Sequence, residues 1–379
     1  MAIISGKFIS APGGYKFYVP DPLPPKIAWG QNIINTLSSA DMLLGKLVGE
    51  GRSFTNPHVF MRPFLTREAV LSSRIEGTQA TLSDVLAAYA GAEVETKAAD
   101  LKEVDNYIVA MDYGIERLKS LPLSLRLIRE IHEKLMQGVR GNAATPGEFR
   151  TSQNWIGVAG CTLTTATYIP PSPDYMKDCL GELEKFLYNK ALPPLVQVAL
   201  IHYQFEAIHP FLDGNGRVGR LLITLFLVER GILPAPLLYL SAFFEATRQE
   251  YYDRLFAVTQ RGDWEAWLQY FLNGVSRQTE DVLMRATSIN KLLEAWHEQA
   301  EKLSSPVASK LIDQLTANPF ITIKRAAEIM GVSYTTVQRA LVKLEDLHIV
   351  QEISGGKRNR VYCAKQILTI LDMPARISG

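Results

Sequence analysis

The chain has 379 residues, of which 47% are hydrophobic and 21% charged, and this balance excludes the disordered and collagen-like classes. Lys and Arg (40) nearly balance Asp and Glu (39), so the overall charge indicates neither a nucleic-acid nor a membrane partner. The length suits two or three domains. Cys161, Cys179 and Cys363 are widely spaced and lack the pairing of a zinc site, which favours a reducing compartment.

The N-terminal sequence MAIISGKFISAPGGYKFYVP has no basic segment followed by an apolar run. The longest apolar run, LLITLFLV, is too short to span a bilayer, so we expect no membrane partner. These features predict a cytoplasmic bacterial protein, although an unconventionally secreted effector would share them. This opening segment, with its DPLPP, is typical of an extended arm.

Helical periodicity runs from NIINTLSSADMLLGKL to about residue 303 and predicts a mainly α fold. The clearest exception is NWIGVAGCTLTTATYIPPSP, which is rich in β-branched and aromatic residues and closed by prolines. This stretch predicts a β-hairpin whose last strand lies at an edge. A long helical pattern that starts at DWEAWLQYF ends at SSP, so we place a domain boundary near Ser305.

The C-terminal segment predicts a winged helix-turn-helix. A short helix, a turn at Gly331, a second helix capped by Ser333 and two strands joined by SGGKRNR follow in that order. Residues 305–365 hold nine Lys and Arg against five Asp and Glu, a net charge of +4 that favours DNA as a partner. Such modules also bind proteins or form homodimers. The DNA-binding candidates are Tyr334, Thr335, Thr336, Gln338, Arg339, Lys357, Arg358 and Arg360.

The stretch AIHPFLDGNGRVGR lies between two helical patterns. Pro210 disfavours helical backbone at His209, so the helix should stop there and leave the imidazole at the mouth of the loop. Gly214 and Gly216 permit positive φ angles, which let successive N–H groups form an anion-binding nest. The next helix begins at RVGRLLITL, and its N-terminus also favours an anion.

Charged side chains surround this loop. Arg217 and Arg220 stand three residues apart, on one helix face, where both can hold phosphate oxygens. Asp213 is a single carboxylate, and Mg²⁺ at nucleotide sites is often held by one carboxylate with phosphate oxygens and waters. A base, a magnesium ligand and a phosphate cradle together predict attack of a hydroxyl on a nucleotide phosphate.

The sequence HPFLDGNGRVGR resembles, at every position, the signature of Fic-domain proteins, which transfer AMP from ATP to a Ser, Thr or Tyr hydroxyl of a target protein. The resemblance implies that His209 is the base and that Asp213 binds the Mg²⁺ bridging the α and β phosphates. It also implies phosphate-binding roles: Asn215 with the backbone of Gly214 and Gly216 for the α phosphate, and Arg217 and Arg220 for the β and γ phosphates.

The flanking sequence PGEFRTSQNWIG, with the β stretch after it, is similar to the family's flap, which docks a target segment by main-chain pairing. The resemblance covers about residues 35 to 285 and implies a Fic-type helical core with a β-hairpin flap. The target protein is therefore the expected partner, and ATP the expected substrate.

Upstream, the helical pattern in TREAVLSSRIEGTQATLSDV ends at Gly77 and leaves Glu76 in the last turn, where a carboxylate opposes the helix dipole. A solvated glutamate would be the ordinary explanation. SSRIEG, however, matches the family's inhibitory pattern, with Ser72 and Glu76 at its fixed positions. The resemblance implies that Glu76 pairs with Arg220 and blocks the productive γ phosphate position. Some relatives also remove AMP with this glutamate.

These observations divide the chain into an N-terminal arm and helical region with the inhibitory helix (1–100), a Fic catalytic core (101–285), a helical linker (286–304) and the winged helix-turn-helix (305–379). Two alternatives stay open. A DNA-binding transcription regulator that only senses nucleotide would need the phosphate cradle but not His209. Transfer of another group, such as UMP or phosphocholine, would use the same loop, because the motif does not select the nucleobase.

Overall fold

The computed structural model describes residues 5–51, 57–139, 145–158, 160–302, 305–355 and 359–375. It is 62% helical, which confirms the predicted mainly α fold. In the N-terminal half the helices are α1 (Gln31–Gly51), α2 (Pro57–Ile75), α3 (Leu82–Tyr89), α4 (Ala98–Arg117), α5 (Leu125–Leu135) and α6 (Pro173–Leu187). Next come α7 (Pro194–Ile208), α8 (Asn215–Glu229), α9 (Ser241–Ala246), α10 (Arg248–Arg261) and α11 (Trp264–Glu301).

The helices α7 and α8 form the centre of the core. Nearly every side chain of α7 is buried, and so are most side chains of α8, as expected of helices surrounded by others. The long helix α11 packs against α1 and α7, and the indole Nε1 of Trp267 donates to the carbonyl of Ala199 at 3.0 Å. The loop between α7 and α8 is thus supported by the most deeply buried part of the protein.

The N-terminal segment is a β-hairpin rather than the extended arm that we predicted. Strand β1 (Gly6–Ser10) pairs antiparallel with β2 (Lys16–Pro20), in a register that places Phe8 opposite Tyr18. The apolar residues of KFYVP are buried, and the Tyr18 N–H donates to the carbonyl of Ile169 at 2.9 Å. These buried contacts stabilise the hairpin, and the described stretch between β2 and α1, with DPLPP, lacks regular structure.

The predicted flap hairpin is reduced to a single antiparallel bridge. Ile156 and Tyr168 exchange two backbone hydrogen bonds, of 2.8 and 3.0 Å, and turns occupy most of the described residues between them. The bridge leaves large apolar side chains accessible, with Trp155 and Ile156 each 41% exposed and Val158 78% exposed. The flap therefore presents irregular backbone and apolar side chains to solvent.

The C-terminal segment contains the two helices and two strands that the sequence predicts, in the predicted order: α13 (Ile323–Met330), α14 (Tyr334–Asp346), β4 (Gln351–Glu352) and β5 (Val361–Cys363). Three further elements were not predicted: α12 (Pro306–Ala317), β3 (Phe320–Thr322) and α15 (Lys365–Asp372). Gly331 ends α13 with a φ of 63°, and the Ser333 hydroxyl caps α14 by accepting from the N–H of Thr336 at 3.2 Å. The strands form a small sheet in the order β3-β5-β4.

This C-terminal segment packs against α2 and the end of α3. Helix α12 contacts α2, the Asn318 amide donates to the carbonyl of Leu86 at 2.8 Å, and the Thr322 hydroxyl donates to that of Ala90 at 2.8 Å. A fully buried arginine of α11, Arg285, pairs with Asp281 and also donates to carbonyl groups at the end of α15. Within the described ranges, no helix combines the length and apolar character needed to cross a membrane.

Candidate active site

The loop after α7 has a backbone that a histidine adopts rarely. His209 ends the helix with φ 49° and ψ 61°, a left-handed conformation that costs a residue other than glycine free energy. The helix therefore stops where Pro210 predicts. His209 is only partly exposed to solvent.

The pKa of His209 is lowered to about 4, first by burial and then by the positive charge of Arg150. Its Nδ1 atom is buried and has no hydrogen-bond partner in the described part of the chain. At neutral pH the imidazole is consequently uncharged. A neutral imidazole can accept a proton, which is what a general base requires.

Asn215 and His132 hold the loop in shape. The Asn215 side chain accepts from the N–H of Phe211 and donates to its carbonyl, both at 2.8 Å. His132, on α5, stacks on the Phe211 ring at 3.7 Å, and its Nε2 lies 3.0 Å from the carbonyl of Asp213. Asn215 thus closes the loop in this structure, whereas the resemblance gives it the α phosphate. His132 was not predicted as a site residue, because no local sequence pattern links it to the loop.

The two glycines serve different purposes. Gly214 has a φ of 78°, as predicted, and precedes the first turn of α8. Gly216 is helical, so the predicted positive φ is wrong at this position. A Cβ atom on Gly216 would lie 2.3 Å from Oε1 of Glu76 and 3.0 Å from Nη1 of Arg220. The absence of a side chain at Gly216 leaves room for the Glu76 carboxylate and the Arg220 guanidinium beside the first turn of α8, and a Cβ there would displace them.

The N-terminus of α8 is suited to an anion. The first N–H groups of a helix lack partners within the helix, and the dipole adds positive potential. Asp213 borders this end with a side chain that is 55% exposed, accepting from the N–H of Gly214 at 2.6 Å and lying 3.6 Å from Nη2 of Arg217. An exposed carboxylate beside a phosphate site has the hard oxygen donors that Mg²⁺ prefers.

Among the residues that the structure describes, no group of three His, Cys, Asp or Glu side chains could hold a metal ion.

Both arginines of α8 are buried and paired with carboxylates. Arg217 donates through Nη1 to Oε2 of Glu103, on α4, at 3.0 Å. Arg220 donates through Nη2 to Oε1 of Glu76 at 2.6 Å and through Nε to Oγ of Ser72 at 2.8 Å. The structure therefore brings together Ser72, Glu76 and Arg220, as the resemblance implies. Glu103 was missed, since it lies outside every motif.

Glu76 follows the last residue of α2, Ile75, and Gly77 turns the chain with a φ of 105°. Burial would raise the pKa of Glu76, but the Arg220 guanidinium outweighs burial and the pKa is lowered. Glu76 is thus ionised at neutral pH. Its negative charge lies against the arginine expected to receive phosphate, and it would repel that phosphate.

Another carboxylate, Glu206, lies one turn before His209, and sequence reasoning missed it. Burial raises the pKa of Glu206 to about 7, although Arg220 acts in the opposite direction. A carboxyl group with this pKa is only partly ionised at neutral pH. It therefore adds less than a full negative charge to a site that would receive phosphates.

The described members of the predicted DNA-binding set lie on α14 and just before β5. Tyr334, Thr335, Thr336 and Arg339 are exposed on α14, and Gln338 is partly exposed. Arg360 and Tyr334 line one cleft, together with Lys324, Arg325 and the end of α3. Lys357 and Arg358 lie outside the described residues.

Comparison with known proteins gives two matches to one family. Residues 122–227 match the Fic/DOC family and residues 34–116 match the Fic/DOC family N-terminal region. The chain is 29% identical over 251 residues to a protein adenylyltransferase Fic of Drosophila willistoni, covering 61% of this chain and 46% of that relative. For the Drosophila melanogaster protein of the same description, identity is 28% over 246 residues. The chain spans about half the length of these curated relatives.

Solved structures share the fold. A Fic family protein from Desulfovibrio desulfuricans is 20% identical, with a TM-score of 0.60 over 90% of this chain and 98% of that chain. Fic-1 from C. elegans is 22% identical, with a TM-score of 0.52 over 68% of this chain and 74% of that chain. At these identities the similarity concerns the fold alone, and it confirms the predicted Fic-type helical core.

Proposed function

Because residues 34–116 and 122–227 of this chain belong to the Fic/DOC family, we propose that it is an autoinhibited protein adenylyltransferase. It transfers AMP from ATP to a Ser, Thr or Tyr hydroxyl of a target protein and of itself. The observation that carries this proposal is the uncharged imidazole of His209 beside the N-terminus of α8, where Asp213 and two arginines also converge.

In the proposed reaction His209 accepts the proton of the target hydroxyl. The hydroxyl oxygen attacks the α phosphorus, the bond from that phosphorus to the bridging oxygen of the β phosphate breaks, and pyrophosphate leaves. The N–H groups at the start of α8 hold the transferred phosphate, and Arg217 and Arg220 hold the outer phosphates. Asp213 would hold Mg²⁺, which when bound neutralises phosphate charge.

The target protein docks on the flap. The Ile156–Tyr168 bridge provides only one paired position, so backbone groups of the flap are available for main-chain pairing with an extended segment. The exposed Trp155 and Val158 side chains add apolar contact area. This arrangement supports a protein target rather than a small hydroxyl compound.

Autoinhibition rests on the contact between Glu76 and Arg220. While Glu76 occupies Nη2 of Arg220, the γ phosphate cannot use that donor, and ATP binds in an unproductive pose. The same glutamate could orient a water molecule toward a modified hydroxyl, so AMP removal by this site is part of the proposal. Release of AMP from a purified, modified target by the wild-type chain measures that reverse activity.

Nucleotide choice is tested by direct competition. We expect the Glu76→Gly chain to incorporate label from ATP, and excess unlabelled ATP, but not UTP, to suppress this incorporation. Preferential labelling from UTP, or from a phosphocholine donor, would instead assign another transferred group to the same loop.

A second candidate function, DNA binding by residues 305–375, is favoured by the exposed residues of α14 and the adjoining basic cleft. We expect the affinity for duplex DNA to fall steeply as salt rises, because bound phosphates release counterions. A plot of log affinity against log salt concentration has a negative slope. Changing Lys357, Arg358 and Arg360 together to Gln should make this slope less negative by about 3.

Fluorescence anisotropy of a labelled duplex over a range of salt concentrations measures this slope. Changing the exposed Lys190, Lys291 and Lys302 to Gln removes the same charge outside residues 305–375 and provides the matched control. If the affinity for duplex DNA does not depend on salt concentration, or if no duplex binds, protein recognition remains as the role of this segment.

A further inference from the structure

Arg150 is a buried cation in the segment that leads into the flap. Only 2% of its surface is exposed, and no carboxylate of the described chain lies within ion-pair distance of its guanidinium. Burial lowers the pKa of Arg150 to about 10, so it stays protonated at neutral pH. Burying a charge without a counter-ion is costly, and such a group is retained when its hydrogen bonds serve a purpose.

The guanidinium of Arg150 donates only to backbone carbonyl groups. Its Nε donates to the carbonyl of His209 at 2.9 Å, and Nη2 lies 3.4 Å from that of Ile208. Nη1 donates to Ser152 at 3.1 Å, and Nη2 donates to Pro171 at 2.5 Å. Ser152 and Pro171 flank the flap, so one side chain joins both ends of the flap to the end of α7.

These contacts suit an arginine for two reasons. The last carbonyl groups of a helix lack partners within the helix, and a positive charge there is favoured by the dipole. The planar guanidinium presents five N–H donors in a fixed arrangement, whereas a lysine ammonium cannot reach both the helix end and the flap. Because Arg150 is protonated at neutral pH, its guanidinium cannot act as a proton acceptor in the site.

The orientation of His209 depends on this backbone support. A catalytic imidazole is commonly oriented by a hydrogen bond at its second nitrogen. In the described residues no hydrogen bond of standard length and angle reaches Nδ1 of His209, and the backbone of Glu206, one turn earlier, adds only a weaker contact to the ring. The left-handed backbone therefore sets the direction of the Cα–Cβ bond that carries the ring. That conformation is unfavourable for histidine by itself, and the contact from Arg150 to the His209 carbonyl stabilises it.

We propose that Arg150 is a positioning residue for the transfer reaction, one that fixes the backbone of His209 and aligns the flap with it. A target strand docked on the flap then presents its hydroxyl to the base at a constant distance. The positive charge of Arg150 adds to the effect of burial, which is the larger cause of the uncharged imidazole. The charged groups that face His209 are Arg150, Glu76 and Asp213, and the carboxylates act in the opposite direction. This inference rests on the proposed adenylyl transfer.

The test uses the Glu76→Gly chain as the parent and compares Arg150→Gln with Arg150→Lys. We expect both variants to lower kcat by about tenfold to a hundredfold, because the base and the hydroxyl are misaligned, while the affinity for ATP is unchanged. In Arg150→Gln the acid limb of the kcat pH profile should also move up by about one pH unit. In Arg150→Lys the charge persists and the limb should stay in place.

Tyr168→Phe is the matched control. The Tyr168 hydroxyl donates to the carbonyl of Ala207 at 2.6 Å, so its removal also costs one hydrogen bond between flap and helix end, without a change of charge. This variant should lose thermal stability but keep the acid limb. If Arg150→Gln retains the parent's kcat and acid limb, Arg150 has no positioning role.

Two further outcomes are distinguishable. A parent chain that incorporates no AMP would overturn the proposed function itself, before Arg150 is considered. If Arg150→Gln does not fold, Arg150→Lys decides the question, because it should fold and lose kcat at unchanged ATP affinity. A Lys variant with the parent's kcat would contradict the inference.

Discussion

Glu76→Gly is expected to raise AMP incorporation into protein by about tenfold to a hundredfold, which corresponds to one or two charge-assisted hydrogen bonds gained by the γ phosphate. The change frees the N–H of Arg220 Nη2 that donates to Glu76 at 2.6 Å, while the same nitrogen still donates to the carbonyl of Ser72 at 3.0 Å. The effect should appear in kcat rather than in ATP affinity, because the wild-type loop can still bind ATP unproductively. Incorporation of labelled AMP, including self-modification, measures it.

Two companion variants isolate the cause. Arg220→Ala added to Glu76→Gly should cancel the gain, since the arginine is the group that Glu76 masks. Glu76→Gln keeps the length of the side chain and removes its charge, so it should also activate the chain without the backbone freedom that glycine adds beside Gly77. Equal rates for wild type and Glu76→Gly would refute autoinhibition.

Loss of the His209 imidazole should have the opposite effect. In the Glu76→Gly background we expect removal of the base to lower AMP transfer by about 10² to 10⁴-fold, the usual contribution of a general base. Binding of ATP should persist, because Gly214, Arg217 and the first turn of α8 are unchanged. Single-turnover transfer and equilibrium ATP binding, measured on the same samples, separate the two quantities.

The choice of replacement matters at this position. Alanine is disfavoured at the φ of 49° that His209 adopts, whereas asparagine enters the left-handed region more readily. His209→Asn therefore preserves the loop better than His209→Ala while also lacking the base. We expect both to be inactive and His209→Asn to keep the higher thermal stability. Transfer at the parent's rate by either variant would contradict the role of His209 as base.

The sequence was sufficient to predict features that depend on neighbouring residues. Pro210 predicted the end of α7 at His209, and Gly77 predicted the end of α2 near Glu76. The helical spacing of the apolar residues predicted the mainly α core. In each case the relevant physics acts within a few residues, through steric restriction before proline or through the freedom of glycine.

Features that depend on distant segments were not predictable in this way. Arg150, 59 residues before His209, donates to the His209 carbonyl, and Glu76, which follows the end of α2, lies close to Gly216 on α8. The flap contains β-branched residues that favour strands, but it forms one bridge, since strand propensity depends on packing partners. The N-terminal hairpin is likewise stabilised by burial of Tyr18 against the body of the protein.

The proposed reaction treats the phosphates of ATP differently, and a binding experiment cannot detect this difference. In adenylyl transfer the α phosphate stays on the target and the β and γ phosphates leave. A kinase would transfer the γ phosphate, and a nucleotide sensor would transfer neither.

The most direct test is therefore to incubate the Glu76→Gly chain with ATP labelled in either its α or its γ phosphate and to measure protein-bound label after denaturation. The account predicts stable labelling from the α phosphate, no labelling from the γ phosphate, and loss of the α label when His209→Asn is added. Protein-bound γ label, or the absence of both labels, would contradict it.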